Sequence, residues 1–480
     1  MQRPCLNCEL RAVLPKAVVR SRSQLTFPQA LFKISEDVGE KVPRCTQRFE
    51  ERDCTDYEPE DMQWNTVDEQ DPELHRLLTE AGETPGDDPL DNVAALIAQN
   101  GGAFVDAGPG CGKTRALLPR IEKALLARDP DVVITKVAPT YVAAKQMGGI
   151  TCQAALHRNV YNRFENEVMI VDEVSMVGKQ LMERMARWHI MGLRFVCMGD
   201  FSQLLAVGED PEKRWRTETS RTLMGLCNNL RVLLTKNRRA AADPEHFNRI
   251  MMLRPWVDEN LTYWLSHFTT RYSWKGPDRQ PISYYVCISH RNRMRINQWQ
   301  NDLEKGRHER KLFIESPGFV KGCSSQPQDM WVWPGLQLIG GGRRSKKILN
   351  GVLYIVHSFD ETLRLTTHPD FGDEIVEVSM EEAAENLRLC YAAVYHSCQG
   401  RTLNKEHVML MDTQNPYFSG RHLYVGASRV TSGEYLHIAS DEITSWINRQ
   451  LRAVPNDDDH ARVQEDWDAW QNGEEEDLEA

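Results

Sequence analysis

From residue 89 onward, short apolar runs alternate with amphipathic stretches. AFVDA (103–107), VVITKVA (132–138), VMIVDE (168–173) and LRFVCMGD (193–200) are short, nearly continuous apolar segments, and the pattern predicts buried strands there. Between them, LLPRIEKALL (117–126) sets Leu117, Leu118, Ile121 and Leu125 on one helical face, and KQLMERMARW (179–188) repeats the arrangement with Trp188 on its core side. Buried strands alternating with helices predict an α/β parallel sheet, since strands covered on both faces lose the polar half of their alternation. A second pattern of this kind starts at RVLLT (231–235), continues at YYVCI (284–288) and returns at EHVMLMD (406–412). Inside it, WVWPGLQLIGG (331–341), ILNGVLYIV (348–356) and ETLRLTT (361–367) read as short strands with Gly and Asn-Gly turns, a small all-β insertion. The divisions are an unassigned N-terminal region (1–88), a first α/β unit (89–230), a second (231–330 and 390–455) interrupted by the insertion (331–389), and a tail (456–480).

Composition narrows the classes. With 480 residues the chain has room for several domains, and 41% hydrophobic against 26% charged residues is ordinary for a globular protein. No apolar run approaches a membrane span, and the first twenty residues lack a signal-peptide core, so no membrane partner is expected. Twelve cysteines, mostly single within apolar stretches, are too few for a disulfide scaffold and predict an intracellular, reducing compartment. The net charge of −11 lies almost wholly after residue 456, in a tail with eleven acidic residues and one basic one, expected to be disordered. The body is nearly neutral and is free to carry a local basic groove.

The candidate chemistry begins at Ala107-Gly108-Pro109-Gly110-Cys111-Gly112-Lys113-Thr114-Arg115, after a predicted strand and opening a predicted helix. Glycines let backbone N–H groups curl around a phosphate chain, the helix start adds positive dipole, Lys113 reaches the β/γ-phosphates, and Thr114 offers a hydroxyl to Mg²⁺. Ala107 replaces the usual first glycine. Asp172 and Glu173 end a later strand, which places one carboxylate in a metal shell and the second where it polarises water. The two motifs together predict a P-loop NTPase. Cys5, Cys8, Cys45 and Cys54 are a candidate zinc set with one wide gap, thiols without metal being the plainer reading.

DEVSM (172–176), GDFSQLLAV (199–207), LTKNRRA (234–240), YAAVYHSCQGRT (391–402) and LYVGASRV (423–430) stand in the order of superfamily 1 helicase motifs, and APTYVAAKQMGGIT (138–151) is similar to a single-strand-contacting motif. The chain resembles the RecD/PIF-type 5′→3′ DNA helicases. That resemblance implies two RecA-like P-loop NTPase domains with an SH3-like insertion, ATP and Mg²⁺ between the domains, and 5′→3′ movement on single-stranded DNA. It implies Glu173, Gln203, Arg239 and Arg429 as catalytic residues, Arg239 reaching in from the second domain, and Gln203 as the γ-phosphate sensor. Gly400 would assist at the nucleotide, and Pro139, Thr140, His396, Gln399 and Thr402 would meet the nucleic acid. Arg238, Val394 and Ser397 depart from the family pattern. Arg343, Arg344, Lys346 and Lys347 would hold phosphates on the insertion, or simply be solvated. The segment 152–167 is short for a duplex-splitting hairpin, which predicts weak unwinding of long duplexes. The chain would act as a monomer or within a larger replication complex. Two alternatives stay open: a viral-type superfamily 1 RNA helicase, and a nucleotide-gated binding module without turnover.

Overall fold

The computed structural model describes residues 89–449 except 157–163, 165, 206–220, 235, 237, 240–242, 275–280, 321–324, 343–344, 370–371, 373, 404–405, 440–443, 446 and 448. The N-terminal region with Cys5, Cys8, Cys45 and Cys54, the tail, Arg343 and Arg344, and most of the short segment 157–165 lie outside the described residues.

Six strands form the first sheet: β1 (Ala103–Ala107), β2 (Val133–Ala138), β3 (Ile150–Thr151), β4 (Glu167–Val171), β5 (Arg194–Gly199) and β6 (Arg231–Leu234). Their order is β3-β2-β4-β5-β1-β6, every pair parallel. Side chains alternate between two cores. Val105, Ile170, Val196 and Met198 face the helices Pro89–Asn100 and Leu118–Arg128 on one side. Phe104, Met169, Phe195 and Cys197 face the helix Lys179–Ile190, where Trp188 is buried as expected and lies edge-on to Phe164. Because all six strands are parallel, their carboxyl ends form one edge, where ligands of open α/β sheets bind. The RVLL strand corrects the sequence reading. It does not open the second unit but closes the first sheet, hydrogen-bonded in register with β1 from Phe104↔Arg231 to Ala107↔Leu234.

The second sheet opens with β7 (Tyr284–Cys287). The chain then leaves it for β8 (Leu312–Ile314) and β9 (Met330–Val332), an antiparallel pair, followed by β10 (Gln337–Gly340), β11 (Leu353–Phe359), β12 (Thr362–Thr367), β13 (Ile375–Ser379) and β14 (Leu387–Leu389). These last five form an antiparallel sheet in the order β13-β12-β11-β10-β14. Ile314, Met330 and Val332 share its core, so the all-β unit starts upstream of residue 331. The chain returns with β15 (Ala392–Val394), β16 (Val408–Leu410) and β17 (Leu436–Ile438), giving a parallel sheet β15-β7-β16-β17. Helices Leu261–Arg271 and Gly420–Ala427 cover one face and His290–Glu304 the other. Val142, from the helix following β2, lies in the insertion's core, and Arg401 donates to the Gly351 carbonyl at 2.9 Å. The insertion is thus packed on both α/β units. Among the described residues no helix is long and apolar enough to cross a membrane.

Candidate nucleotide site between the two sheets

β1 delivers the chain to the loop at the carboxyl edge. Gly110 and Gly112 take φ of 78° and 89°, the left-handed region in which an L side chain is strained. Space is also short at Gly112, where a Cβ would lie 2.8 Å from Arg238 Cδ. Lys113–Leu117 forms one π-helical turn that runs into the helix Leu118–Arg128, anchored by buried Leu117, Leu118, Ile121 and Leu125. Gly108, Pro109 and Cys111 are buried, and Arg115 is exposed. Burial raises the Cys111 thiol above its usual value, so it is a packed neutral group. Lys113 is also buried, its Nζ donating to the Ala107 carbonyl at 3.1 Å across the loop.

β4 lies two strands from β1, and its end brings the carboxylates to the loop. Thr114 Oγ1 donates to Asp172 Oδ2 at 2.5 Å, and the Glu173 amide donates to Asp172 Oδ1 at 2.9 Å. Glu173 takes φ of 50°, an uncommon conformation for a residue with a Cβ. It is buried, and its Oε2 has no hydrogen-bond partner. Burial pushes its carboxyl above the ordinary range; Lys113 pulls it down, Asp172 pushes it up, and Arg429 pulls it down. A buried carboxylate oxygen without a donor, beside two cations, is fit to take a proton from a bound water.

The arginines come from opposite sides. Arg239 follows β6 and so belongs to the first sheet, which corrects the expectation that it reaches in from the second unit. Its amide and that of Arg238 both donate to the Gly110 carbonyl, at 3.2 and 2.8 Å, and Arg238 Nη1 donates to the Cys111 carbonyl at 2.7 Å. The segment therefore caps the phosphate loop, while Arg239 Nη1 crosses to the Ser428 carbonyl at 2.9 Å. Burial, reinforced by the Arg429 charge, lowers the Arg239 guanidinium. Arg429 does come from the second unit. It is 2% exposed, with its donors on Val425 O, Ser428 Oγ, Cys398 O and Arg401 O. Its charge is lowered by burial and supported by Glu173.

Gln203 is 1% exposed and its Oε1 has no partner. The residues after it are bound by the second unit. Gln399 Nε2 donates to the Leu204 carbonyl at 3.0 Å, and His396 meets the Leu205 backbone, burial lowering its imidazole. Gln399 therefore sits inside the contact between units, not on an open surface. Gly400, with φ of 75°, and half-buried Thr402 continue that segment. Pro139 and Thr140 stand at the end of β2, Thr140 capping the next helix by accepting from the Ala143 amide at 3.3 Å. Lys347 on the insertion donates to the Glu377 carbonyl at 2.9 Å, and Lys346 is exposed.

Two sets of functional neighbours escaped the sequence reading. Arg254 bridges Asp106 of β1 and Asp200 after β5, the latter with Nε at 3.2 Å; Arg231 also holds Asp106 at 2.6 Å, and Tyr424 OH donates to Asp200 at 2.8 Å. Burial works against the Arg254 charge, but Asp200 and Asp106 outweigh it and hold the guanidinium above its usual value. Arg421 grips the 201–203 backbone from the second unit. The available signal was an aspartate inside an otherwise apolar strand, as at Asp106.

Comparison with known proteins agrees with this geometry. Residues 92–209 match the family model described as AAA domain. The RecD subunit of the RecBCD enzyme from Mycobacterium tuberculosis is 30% identical over 170 residues, 28% of this chain and 29% of that protein, so the chain spans under a third of its relative's length. The crystal structure of Pif1 helicase from Candida albicans superposes with a TM-score of 0.55 at 17% identity, covering 76% of this chain and 100% of that one. Pif1 helicase from Bacteroides, in complex with ADP-AlF3 and ssDNA, gives 0.52 at 19% identity, covering 82% of this chain and 99% of that one. Over most of its length this chain shares the fold of the Pif1 helicase structures, and over 170 residues its sequence is similar to RecD.

Proposed function

We propose that the chain is an ATP-driven translocase and helicase that moves 5′→3′ along single-stranded DNA. The observation that carries this reading is the gathering of Lys113, Thr114, Asp172 and Glu173 at the carboxyl edge of one parallel sheet, with Arg429 brought to Glu173 from a second one. Lys113 would release the Ala107 carbonyl to meet the β/γ-phosphates. Glu173 would orient the attacking water and accept its proton at Oε2. Arg239 and Arg429 would stabilise charge on the transferring phosphoryl group, a role worth about 10³–10⁵ in rate in other NTPases. Gln203 would report the γ-phosphate to the contact between units. The Thr114 hydroxyl and Asp172 carboxylate are hard oxygen donors suited to Mg²⁺, and there the ion would neutralise phosphate charge.

Support for DNA comes from the Pif1 likeness, and the polarity follows from the resemblance to the RecD/PIF group. Pro139, Thr140 and Thr402 are the proposed strand contacts, with His396 and Gln399 linking them to the nucleotide. The chain would work alone or in a larger replication complex, inside a reducing compartment; the cysteines among the described residues are all free and buried. ATPase assays with single-stranded DNA or RNA, beside fork substrates with a 5′ or 3′ tail, test the reading. Stimulation by DNA and opening of the 5′-tailed fork is expected. Stimulation by RNA alone, or use of the 3′ tail alone, would overturn substrate or polarity.

A further inference from the structure

The loop after β5 carries Gln203, and what holds that loop is a side chain from the other sheet. The Gln203 amide donates to the Asp200 carbonyl at 3.1 Å, while its own carbonyl accepts from Arg421 Nη1 at 2.8 Å. The same Nη1 donates to the Phe201 carbonyl. The opposite edge of the guanidinium is equally committed: Nε and Nη2 donate to the two oxygens of Asp258, at 2.8 and 2.7 Å. One planar fork thus has one edge on two loop carbonyls and the other on a carboxylate. Lysine, a point charge on a flexible stem, cannot hold both edges at once. Arg421 stands in the first turn of the helix Gly420–Ala427, and Arg429, which acts on Glu173, follows directly after its Ser428 cap. The Gln203 carboxamide oxygen has no partner of its own, and the backbone that carries it is held by Arg421.

We propose that Arg421, oriented by Asp258, is a positioning residue for Gln203: the helix that presents Arg429 also sets the glutamine through the Phe201 and Gln203 carbonyls. Displacement of that helix then moves an arginine and a glutamine of the nucleotide site together. The proposal rests on the reading of Gln203 as a phosphate sensor.

The test compares kcat and KM for ATP, under saturating single-stranded DNA, in full-length Arg421→Ala, Arg421→Lys, Gln203→Ala and the Arg421→Ala/Gln203→Ala double variant, with thermal unfolding as the check on folding. Arg421→Ala should lower kcat by about 10- to 100-fold with KM changed less than about threefold, and Arg421→Lys should not rescue it. The double variant should be no slower than Gln203→Ala, since residues acting through one another are non-additive. Multiplying losses, or a normal kcat for Arg421→Ala beside an impaired Gln203→Ala, would overturn the positioning role alone. A normal kcat for Gln203→Ala would instead overturn the sensor reading, and the proposal with it. Should Arg421→Ala not fold, Asp258→Asn carries the same comparison: a smaller loss of kcat that disappears when Gln203 is already alanine.

Discussion

Arg254→Met tests whether the charges behind the phosphate loop hold the two units together. Methionine keeps much of the stem's volume and removes the fork. Asp200, 0% exposed, then keeps only the Tyr424 hydroxyl among its side-chain partners here, while Asp106 keeps Arg231 at 2.6 Å. Removing one partner of a buried ion pair costs about 3–5 kcal/mol, because the remaining charge stays desolvated without compensation. Asp106 retains a cation, so most of the cost falls at Asp200, and about 3 kcal/mol is expected. For a unit of this size that lowers the unfolding midpoint by about 6–12 °C. Urea and thermal unfolding followed by circular dichroism, scored on the first transition, measure it. In the Arg254→Met background, Asp200→Asn should recover about 1 kcal/mol or more, since it removes the orphaned charge. Less than about 1 kcal/mol lost by Arg254→Met, or strict additivity of the two changes, would show that Asp200 is not held by this ion pair.

Three further outcomes follow from the site and its surroundings. Glu173→Gln should bind ATP normally yet lower turnover by about 10²-fold or more, because the amide cannot take the water's proton; wild-type turnover would remove Glu173 as the base. Gly112→Ala should weaken nucleotide binding and cost about 1–2 kcal/mol, since the alanine is strained at φ of 89° and its Cβ meets Arg238 Cδ at 2.8 Å; equilibrium nucleotide titration and thermal unfolding read both effects. Burial holds His290 and His422 down to about 3 and His437 to about 4, so the unfolded chain binds protons near pH 6.5 that the folded chain refuses. Their contribution is complete above pH 6.5 and is lost as pH falls toward those values. Melting midpoints should therefore drop from pH 7.5 to 5, less steeply in His437→Gln, and an unchanged slope in that variant would refute its share.

The sequence by itself determined whatever is contiguous. The phosphate loop, the Asp172-Glu173 strand end and the strand AFVDA are local patterns, because a loop that wraps phosphate needs its glycines and lysine within one turn and a buried strand needs consecutive apolar residues. Burial of Leu117, Leu118, Ile121 and Leu125 followed from helical spacing for the same reason. Which sheet takes a strand is not local information. RVLL has the composition of any buried strand, and only its register with β1 assigns it to the first sheet and moves Arg239 with it. The residues that hold the two units together were equally silent in sequence. Arg254 lies 148 residues from Asp106, and Arg421 lies 218 from Gln203, so neither pair has a spacing to recognise. Glu173 shows the division within one residue. Its position after an apolar strand marks it as a carboxylate at a sheet edge, whereas its raised pKa comes from burial in the folded chain, opposed by Lys113 of its own sheet and by Arg429 of the second.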